Sequence, residues 1–313
     1  MGTWVVGVDV GGTNIVCGLV DRETGTVAEK LKRPTEREGG PEHVLGRIER
    51  AIRDLAASRE LPLERIDAVG VGIPGFVDPV RGVVRLAGNL KWENVPVAET
   101  LAARTGRPVT VDNDVRMYTY GEAIAGAGAG YEYVMGLTIG TGMSAAFVNR
   151  GQLHYGANFH AGEIGHIVME DVPYVCGCGL TGCLETVVSA TGIVRVAREW
   201  LAKGVASDRL TGDFTSADVS RAFDAGDEVA ARTFETVGAW LAKGLAAVVP
   251  AVSPDVVVIG GGGALAGDRL FAPMRKTLGR LLHPIYLDRI AIVPAKHNDD
   301  AGVIGSAMFA ART

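Results

Sequence analysis

The sequence predicts an α/β protein of two lobes, each built on a copy of the same domain. The chain has 313 residues, which is long for one hydrophobic core and typical of two. Short β-branched runs alternate with stretches of helical periodicity, as they do in α/β proteins. The strand and glycine turn of VVGVDVGGT near the N-terminus appear again as VMGLTIGTG at Val134–Gly142. We therefore expect each lobe to open with a strand, a glycine turn and a second strand.

The N-terminal half is predicted to begin with two hairpin strands, Trp4–Val10 and Ile15–Val20, because glycines separate two short β-branched runs. Apolar residues at helical spacing and capping residues indicate the elements that follow. These are a helix over Pro41–Arg59, a strand over Ile66–Ile73, a helix over Val97–Arg104, a strand over Val109–Val111, and a helix over Val115–Ala125 capped by the preceding Asp-Asn-Asp.

The C-terminal half is predicted by the same criteria, and its first two strands form the second hairpin. The expected elements are strands over Val134–Ile139 and Ala145–Val148, helices over Leu184–Leu201 and Val229–Val249, a strand over Asp255–Ile259, a helix over Leu270–Leu281, a strand over Ile290–Val293 and a helix over Ala301–Ala311.

A metal site is predicted in the segment GEIGHIVMEDVPYVCGCGLTGCLE, which runs from Gly162 to Glu185. Thiolates and imidazole are the ligands that tetrahedral Zn²⁺ prefers, and one His with three Cys completes a closed structural site. A disulfide framework fits less well, because the chain is long and has only four cysteines. The predicted zinc ligands are His166, Cys176, Cys178 and Cys183. The fourth cysteine, Cys17, lies in an apolar run and is expected in the core.

Composition excludes several classes of protein. The formal net charge is −5, so no basic footprint for nucleic acid is visible. No run reaches the roughly 20 unbroken apolar residues that span a bilayer. The N-terminus lacks the basic region of a signal peptide. Together with the free thiols, these features predict a cytoplasmic protein that binds neither nucleic acid nor membranes.

Three glycine turns are candidate phosphate sites, because backbone N–H groups in such turns approach an anion closely. They are Gly11-Gly12-Thr13, Gly140-Thr141-Gly142 and Gly260-Gly261-Gly262. Asp9 precedes the first turn and is placed to reach a Mg²⁺ ion. The alternative is that these are hairpin turns without a ligand. The chain has no P-loop motif, and no βαβ unit with a ribose-binding acid follows Gly260, which argues against a dehydrogenase.

These segments together resemble the ROK family of sugar kinases and sugar-responsive repressors, over essentially the whole chain. The matching segments are DVGGT at Asp9, GIPG at Gly72, Asn113-Asp114, GTG at Gly140, GEIGH at Gly162, CGCGLTGCLE at Cys176 and GGG at Gly260. The resemblance implies the two-lobed fold of actin and hexokinase, with duplicated ribonuclease H-like domains. The implied lobes are residues 1–111 with 298–313, and residues 112–297.

The resemblance also implies that the protein uses ATP and Mg²⁺. Asp9 with Gly11, Gly12 and Thr13 would serve Mg²⁺ and the β- and γ-phosphates, and Gly140–Gly142 would form a second phosphate turn. Gly260, Gly261 and Gly262 would pack against adenosine. Asp114 matches the family's catalytic base, which accepts the hydroxyl proton as the O–P bond forms. From the residues alone, the alternative is that Asp114 is an N-cap of the helix from Val115, a role that Asp112 or Asn113 could take instead.

The sugar ligands implied by the resemblance are Asn113, Glu163, His166 and Glu185, with weaker matches at Gly75 and Asn89. Asp114 would also contact the sugar. His166 would use one ring nitrogen for zinc and the other for a sugar hydroxyl, so that the metal fixes the orientation of a substrate ligand. The alternatives are solvated carboxylates at both glutamates, a zinc-only role for His166 and a turn role for Asn89.

The function implied is an ATP-dependent hexokinase of carbohydrate metabolism and glycolysis, acting on the 6-hydroxyl of a hexose, with glucose favoured. Allose, mannose, fructose, N-acetylmannosamine and amino sugars remain alternatives, as does a non-catalytic sugar sensor, and polyphosphate is an open alternative to ATP. The family often has Ala-Asn after Asn-Asp, whereas this chain has Val115-Arg116. Arg116 is either solvated or alters which sugar fits. The first predicted strand begins too early for a helix-turn-helix, and the family implies a homodimer or homotetramer.

Overall fold

A computed structural model describes residues 3–312 of the chain. The strands are β1 Trp4–Val10, β2 Asn14–Asp21, β3 Val27–Pro34, β4 Ile66–Ile73, β5 Phe76–Asp78, β6 Val83–Ala87, β7 Trp92–Val95, β8 Val109–Asn113, β9 Tyr133–Ile139, β10 Met143–Asn149, β11 Gln152–Leu153, β12 Val256–Gly260 and β13 Ala291–Pro294. The α-helices are α1 Gly40–Ala57, α2 Val97–Thr105, α3 Asp114–Ala125, α4 Glu185–Val188, α5 Ala190–Ala202, α6 Ser216–Asp224, α7 Glu228–Val252, α8 Asp268–Leu281, α9 Pro284–Leu287 and α10 Ala301–Ala310.

Two five-stranded sheets have the same topology. The first has the order β3-β2-β1-β4-β8 and the second the order β11-β10-β9-β12-β13. Each therefore reads third, second, first, fourth, fifth along its half of the chain. Strands β4 and β8 are parallel, as are β12 and β13, whereas β2–β3 and β10–β11 are antiparallel. The duplicated domain predicted from the repeated strand and glycine turn is confirmed, and β5, β6 and β7 form a separate antiparallel sheet.

The chain divides into two units. Unit 1 comprises Met1–Gly136, Ala146–Ala161 and Ala295–Thr313, and unit 2 comprises Leu137–Ala145 and Gly162–Pro294. These bounds differ from those predicted for the two lobes, residues 1–111 with 298–313 and residues 112–297. The lobe bounds stay a prediction.

In unit 1 the first sheet packs against helices on both faces. One face joins α1 and α2 in a core that includes Val6, Val8 and Ile48. The other face packs against α10, and a side chain at Gly7 would place its Cβ 1.9 Å from the Val303 carbonyl oxygen. Glycine on this face of β1 therefore lets α10 approach the sheet closely.

In unit 2 the longest helix, α7, packs against α5, α6 and α8. Its buried stripe includes Phe234, Val237, Leu241 and Leu245, as the helical spacing predicts. Among residues 3–312, α7 alone has the length and apolar composition of a membrane-crossing helix. A core helix of a globular protein meets the same criteria, and α7 has the packing of one.

Most predicted elements are confirmed to within a few residues, but the single helix over Leu184–Leu201 is wrong. It is interrupted at Ser189, whose backbone is extended with ψ of 170° and whose side chain caps α5 by accepting from Gly192 N. A serine hydroxyl competes with helical hydrogen bonding and favours the start of a new helix instead. The sequence analysis also missed β3, the β5–β7 sheet, β11, α6 and α9.

Candidate active site and metal centre

Parallel strands in unit 1 bring three polar positions to one edge of the first sheet. Asp9 at the end of β1 pairs in register with Gly72 in β4, and Gly72 pairs with Asp112 in β8. One step further, Ile73 pairs with Asn113. Because the carboxyl ends of parallel strands meet at one edge, the predicted magnesium ligand and the Asn113-Asp114 pair lie at the same edge of this sheet.

Asp9 is half-buried and has a perturbed carboxyl group. Its pKa is raised to about 7, mainly by burial and secondly by the negative charge of Asp114. Helix α10 contributes to the burial, since a Cβ at Gly302 would lie 2.9 Å from the Asp9 carboxyl carbon. The negative charges of the two carboxylates repel each other, and a bound divalent cation would reduce this repulsion.

Asn113 is the N-cap of α3, which confirms the predicted cap. Its Oδ1 accepts hydrogen bonds from Val115 N at 3.0 Å and Arg116 N at 3.1 Å. Its Nδ2 donates to the Gly75 carbonyl at 3.1 Å and to Asp114 Oδ1 at 3.0 Å. The amide group therefore fixes Gly75 and the carboxyl group of Asp114 relative to the start of α3.

Gly75 has a backbone conformation that other residues rarely adopt, with φ of 105°. A Cβ at this position would lie 2.2 Å from the Leu86 carbonyl oxygen. The Gly-Ile-Pro-Gly segment thus requires glycine here both for its φ angle and for its close approach to β6.

The first glycine turn is braced by the chain that follows β3. Gly11 N donates to Asn14 O at 2.8 Å and closes the turn. Thr35 Oγ1 donates to the Gly11 carbonyl at 2.7 Å. Arg37 lies beside the turn, with its Nη1 3.6 Å from where a Gly12 Cβ would stand, and donates to the Asn89 carbonyl at 3.1 Å. The sequence analysis missed this arginine, because no local motif marks it.

In unit 2 the other two glycine turns lie side by side. Gly140 N donates to Gly142 O at 2.9 Å, and the Gly140 carbonyl accepts from Ala190 N at the start of α5. A Cβ at Gly261 would lie 2.6 Å from the Ile139 carbonyl oxygen, immediately before the Gly140 turn. The predicted second phosphate turn and the predicted adenosine turn are therefore adjacent.

A cavity of about 170 Å³ adjoins the predicted adenosine turn. It is lined by Ile193, Ser216, Ala217, Ser220, Gly262, Gly263, Leu265 and Ala266. Its walls are glycine backbone, apolar side chains and two serine hydroxyls, as suits a base with polar edges. The serines of α6 were missed, although the Thr215–Asp218 capping box that begins α6 is a recognisable start signal.

The four predicted zinc ligands come together in unit 2. One ligand atom from each of His166, Cys176, Cys178 and Cys183 lies within 4.8 Å of the others. The thiols of Cys178 and Cys183 are 3.6 Å apart, and Cys176 Sγ is 3.7 Å from His166 Nδ1. A bridge between Val175 and Thr181 folds the Cys-x-Cys turn back on itself. Three sulfurs and one imidazole nitrogen at these separations suit a tetrahedral zinc ion.

Two glutamates border this cluster. His166 Nε2, the ring nitrogen away from Cys176, is 3.8 Å from Glu163 Oε2. Glu185 Oε1 accepts from the Cys176 thiol at 2.8 Å, and its Oε2 accepts from Met143 N at 3.3 Å beside the second phosphate turn. Cys17 is not part of the cluster; it is fully buried in unit 1, where burial raises the pKa of its thiol to about 12.

Arg116 is buried rather than solvated, with 5% of its side chain exposed, and its partner Asp112 is fully buried. Its Nε donates to Asp112 Oδ1 at 2.6 Å and its Nη1 donates to the Phe159 carbonyl at 2.9 Å. Tyr155 completes the network by donating to Asp112 Oδ2 at 2.8 Å. Burial raises the pKa of Asp112, and the Arg116 charge opposes this shift.

Comparison with known proteins agrees with this fold. The chain matches the ROK family over residues 5–313. It is 37% identical to a glucokinase of Thermotoga maritima, with 97% of this chain and 96% of that protein covered. The structure of a ROK family glucokinase from Streptomyces griseus, in complex with glucose and AMPPNP, has a TM-score of 0.82 at 30% identity, covering 99% of this chain and 100% of that one. A ROK hexokinase from Thermus thermophilus has a TM-score of 0.79 at 31% identity, covering 98% and 97%.

The predicted fold class is confirmed: the two sheets and their glycine turns have the actin- and hexokinase-like α/β fold of the ROK sugar kinases. The chain belongs to the ROK family. Its relatives also include a kinase for a different sugar, the N-acetyl-D-glucosamine kinase of Histophilus somni, at 30% identity over 96% of this chain and 97% of that protein.

Proposed function

We propose that this protein is an ATP-dependent glucokinase that transfers the γ-phosphoryl group of ATP to the 6-hydroxyl of glucose. The observation that carries the proposal is its likeness, over nearly the full length, to proteins named as glucokinases at 35–37% identity. The arrangement of Asp9, Asn113 and Asp114 at one sheet edge supports it, because phosphoryl transfer needs a carboxylate near the attacking hydroxyl and another near the metal-bound phosphates.

Asp114 is the proposed general base. It begins α3, and its Oδ1 accepts from Asn113 Nδ2 and from Val115 N, so its carboxyl group has a fixed orientation. A positioned carboxylate takes the proton from the sugar hydroxyl as the bond to phosphorus forms. Asn113 and Gly75, which are linked by a hydrogen bond, are proposed to bind the sugar with Asp114, and Asn89 is a weaker candidate.

Glu163, His166 and Glu185 are the proposed sugar ligands of unit 2. Carboxylates and imidazole suit vicinal hydroxyls, which donate and accept hydrogen bonds together. The dual role predicted for His166 is supported by its geometry, because Nδ1 faces Cys176 and Nε2 faces the Glu163 side.

For ATP, the proposed ligands are the three glycine turns. Gly11, Gly12 and Thr13 would contact the β- and γ-phosphates, Gly140, Thr141 and Gly142 would form the second phosphate turn, and Gly260, Gly261 and Gly262 would pack against adenosine beside the 170 Å³ cavity. Asp9 fits a Mg²⁺ ion, because its carboxyl group and that of Asp114 disfavour each other's charge. Bound Mg²⁺ supplies neutralisation of the phosphate charge.

A structural zinc ion held by His166, Cys176, Cys178 and Cys183 is also proposed. The donor set and the separations within 4.8 Å fit it. Its proposed contribution is folding energy and a fixed His166 ring. Unlike a catalytic zinc, it would take no part in phosphoryl transfer.

A coupled ADP-release assay over a panel of hexoses tests the proposal. We expect the highest kcat/KM with glucose, and Asp114→Asn is expected to lose about 10²–10⁴-fold in kcat while glucose still binds. Turnover only with an N-acetylated or other sugar would replace glucose by that sugar. Binding without turnover would favour the sensor alternative. Turnover with polyphosphate in place of ATP would add polyphosphate as a second phosphoryl donor.

The remaining parts of the proposal concern the cellular setting. We propose a cytoplasmic enzyme that feeds glucose into glycolysis, and a homodimer or homotetramer, as the family resemblance implies. Light scattering during gel filtration tests the subunit number; a monomeric mass at working concentration would contradict it.

A further inference from the structure

We propose that Arg116 is a positioning residue for hexose binding, an inference that rests on the proposed function. Its buried guanidinium holds the Tyr155–His160 segment against the end of β8 and against β5, all within unit 1. The segments that it joins carry, or directly adjoin, Gly75, Asn113 and Asp114. Sugar affinity is then set partly by a side chain that touches no sugar.

The guanidinium reaches three separate segments. Besides Asp112 and the Phe159 carbonyl, it contacts β5, where its Nη2 lies 3.4 Å from the Val77 carbonyl oxygen. Its carbon Cζ lies over the Tyr155 ring, 5.1 Å from the ring centre. A planar, rigid fork of five donors serves partners in several directions at once, which the single ammonium of lysine does not.

These partners adjoin the proposed sugar residues on both sides. Asp112 immediately precedes Asn113, and Val77 lies two residues after Gly75. The hydrogen bond from Asn113 Nδ2 to the Gly75 carbonyl links these two proposed sugar residues directly. A shift of the guanidinium therefore changes the separation between β5 and the end of β8, and with it the geometry that Gly75 and Asn113 offer to a hydroxyl.

The Tyr155–His160 segment has a strained backbone that needs such support. Asn158 and Phe159 are both left-handed, with φ of 56° and 62°, and a bulky residue rarely adopts this region. The Phe159 carbonyl accepts a hydrogen bond from Arg116, and the Phe159 ring packs edge-on against the Tyr155 ring, with the ring centres 5.7 Å apart. The next residue, His160, packs against Phe76 at 5.0 Å, directly beside Gly75. Loss of the guanidinium is expected to relax this segment away from Gly75.

The test compares equilibrium binding of glucose and of ATP, by calorimetry, in wild type, Arg116→Lys and Tyr155→Phe. Arg116→Lys keeps the charge beside Asp112 but loses the fork, and is expected to weaken glucose binding about 10-fold or more with ATP affinity changed less than about 2-fold. Tyr155→Phe removes one hydroxyl and is expected to weaken glucose binding by about 2–5-fold.

Arg312→Lys is the control for the loss of an arginine fork elsewhere in unit 1. Arg312 donates to the Tyr120 hydroxyl of α3 and to the Gly151 carbonyl, each at 2.6 Å, and so also ties α3 to the 146–161 segment. It is expected to lower the melting temperature without changing glucose affinity. A purely structural role for Arg116 would give the same result as this control: reduced stability with unchanged glucose affinity.

Unchanged glucose affinity in folded Arg116→Lys overturns the inference, as does an equal loss of glucose and ATP affinity. If Arg116→Lys does not fold, Tyr155→Phe decides by the same comparison. A wild-type protein that binds glucose but transfers no phosphoryl group overturns the proposed function alone, and the binding comparison still decides the role of Arg116. A wild-type protein that binds no hexose overturns both.

Discussion

Replacing Asp9 with asparagine is expected to stabilise the ligand-free protein at neutral and alkaline pH, even though it removes the proposed magnesium ligand. Burial, and then the Asp114 charge, raise the pKa of Asp9 from 3.8 to about 7. A carboxyl group whose pKa rises on folding favours the folded state when it is protonated. Its contribution to stability is therefore complete below the unfolded pKa of 3.8 and is lost as the pH rises through about 7.

The two pKa values give the size of the effect. At about 1.36 kcal/mol per pH unit, the interval from 3.8 to about 7 corresponds to at most about 4 kcal/mol of stability lost at alkaline pH. The Asp9 side chain is only half-buried, so solvent screens part of this cost. We expect about 1–2 kcal/mol of it to be measurable, which is a substantial fraction of the stability of most proteins.

Urea unfolding of wild type and Asp9→Asn, without nucleotide or magnesium, at about pH 5 and about pH 8 measures this effect. The gain of the variant over wild type should be larger at the higher pH by about 1 kcal/mol. Any effect of the amide on packing contributes equally to the free energy of unfolding at both pH values, so it cancels in the comparison. Asp114→Asn should give a smaller gain of the same sign, because its charge is the second cause of the raised pKa. A gain that is equal at both pH values, or that falls as the pH rises, would refute the reasoning.

Three further predictions address other parts of the site. Cys178→Ser is expected to lose bound zinc, measured by elemental analysis, and to lower the melting temperature, because structural zinc contributes to folding; Cys17→Ala, in the core of unit 1, should keep one zinc per chain, and a Cys178→Ser protein with full zinc content would contradict the ligand set. Gly75→Ala is expected to cost about 2 kcal/mol or more in urea unfolding, because φ is 105° and its Cβ would lie 2.2 Å from Leu86 O; Gly88→Ala, whose Cβ would meet nothing within 4 Å, is the control. Ser220→Leu is expected to fill part of the 170 Å³ cavity and raise KM for ATP about 10-fold with KM for glucose unchanged; an unchanged KM for ATP would remove this cavity from the nucleotide site.

The parts of the candidate site that the structure brings together as predicted are those whose residues lie close to one another in the sequence. The four predicted zinc ligands fall within eighteen residues, so the chain needs only a short turn to bring them within 4.8 Å. The hairpins around Gly11 and Gly140 are likewise local, since each turn joins two strands that pair with each other or lie adjacent in sequence. The repeated local pattern is matched by the same strand order in both sheets.

Contacts between distant residues account for most of what the sequence did not reveal. Arg116 meets Phe159, and Tyr155 meets Asp112, at separations of 43 residues each. Nothing near Arg116 in the sequence indicates whether its guanidinium group is buried or exposed to solvent. Arg37 beside the first glycine turn contacts Asn89 at a separation of 52 residues. The break at Ser189 is local, but it depends on whether the serine hydroxyl caps a new helix or the existing helix continues. Hydrophobic periodicity does not distinguish these two outcomes.

Three of the proposed sugar ligands share one property that explains why such distant contacts matter. Each has a polar atom that its own unit already engages: Asn113 Oδ1 at the start of α3, His166 Nδ1 beside Cys176, and Glu185 Oε2 at Met143 N. A side chain anchored in this way loses less conformational freedom when it binds a hydroxyl, so more of the contact energy appears as affinity. Sugar binding should therefore depend on the anchors as well as on the ligands themselves. On this reasoning the proposed zinc ion and Arg116 would have equivalent roles, one holding His166 in unit 2 and the other holding the surroundings of Asn113 in unit 1.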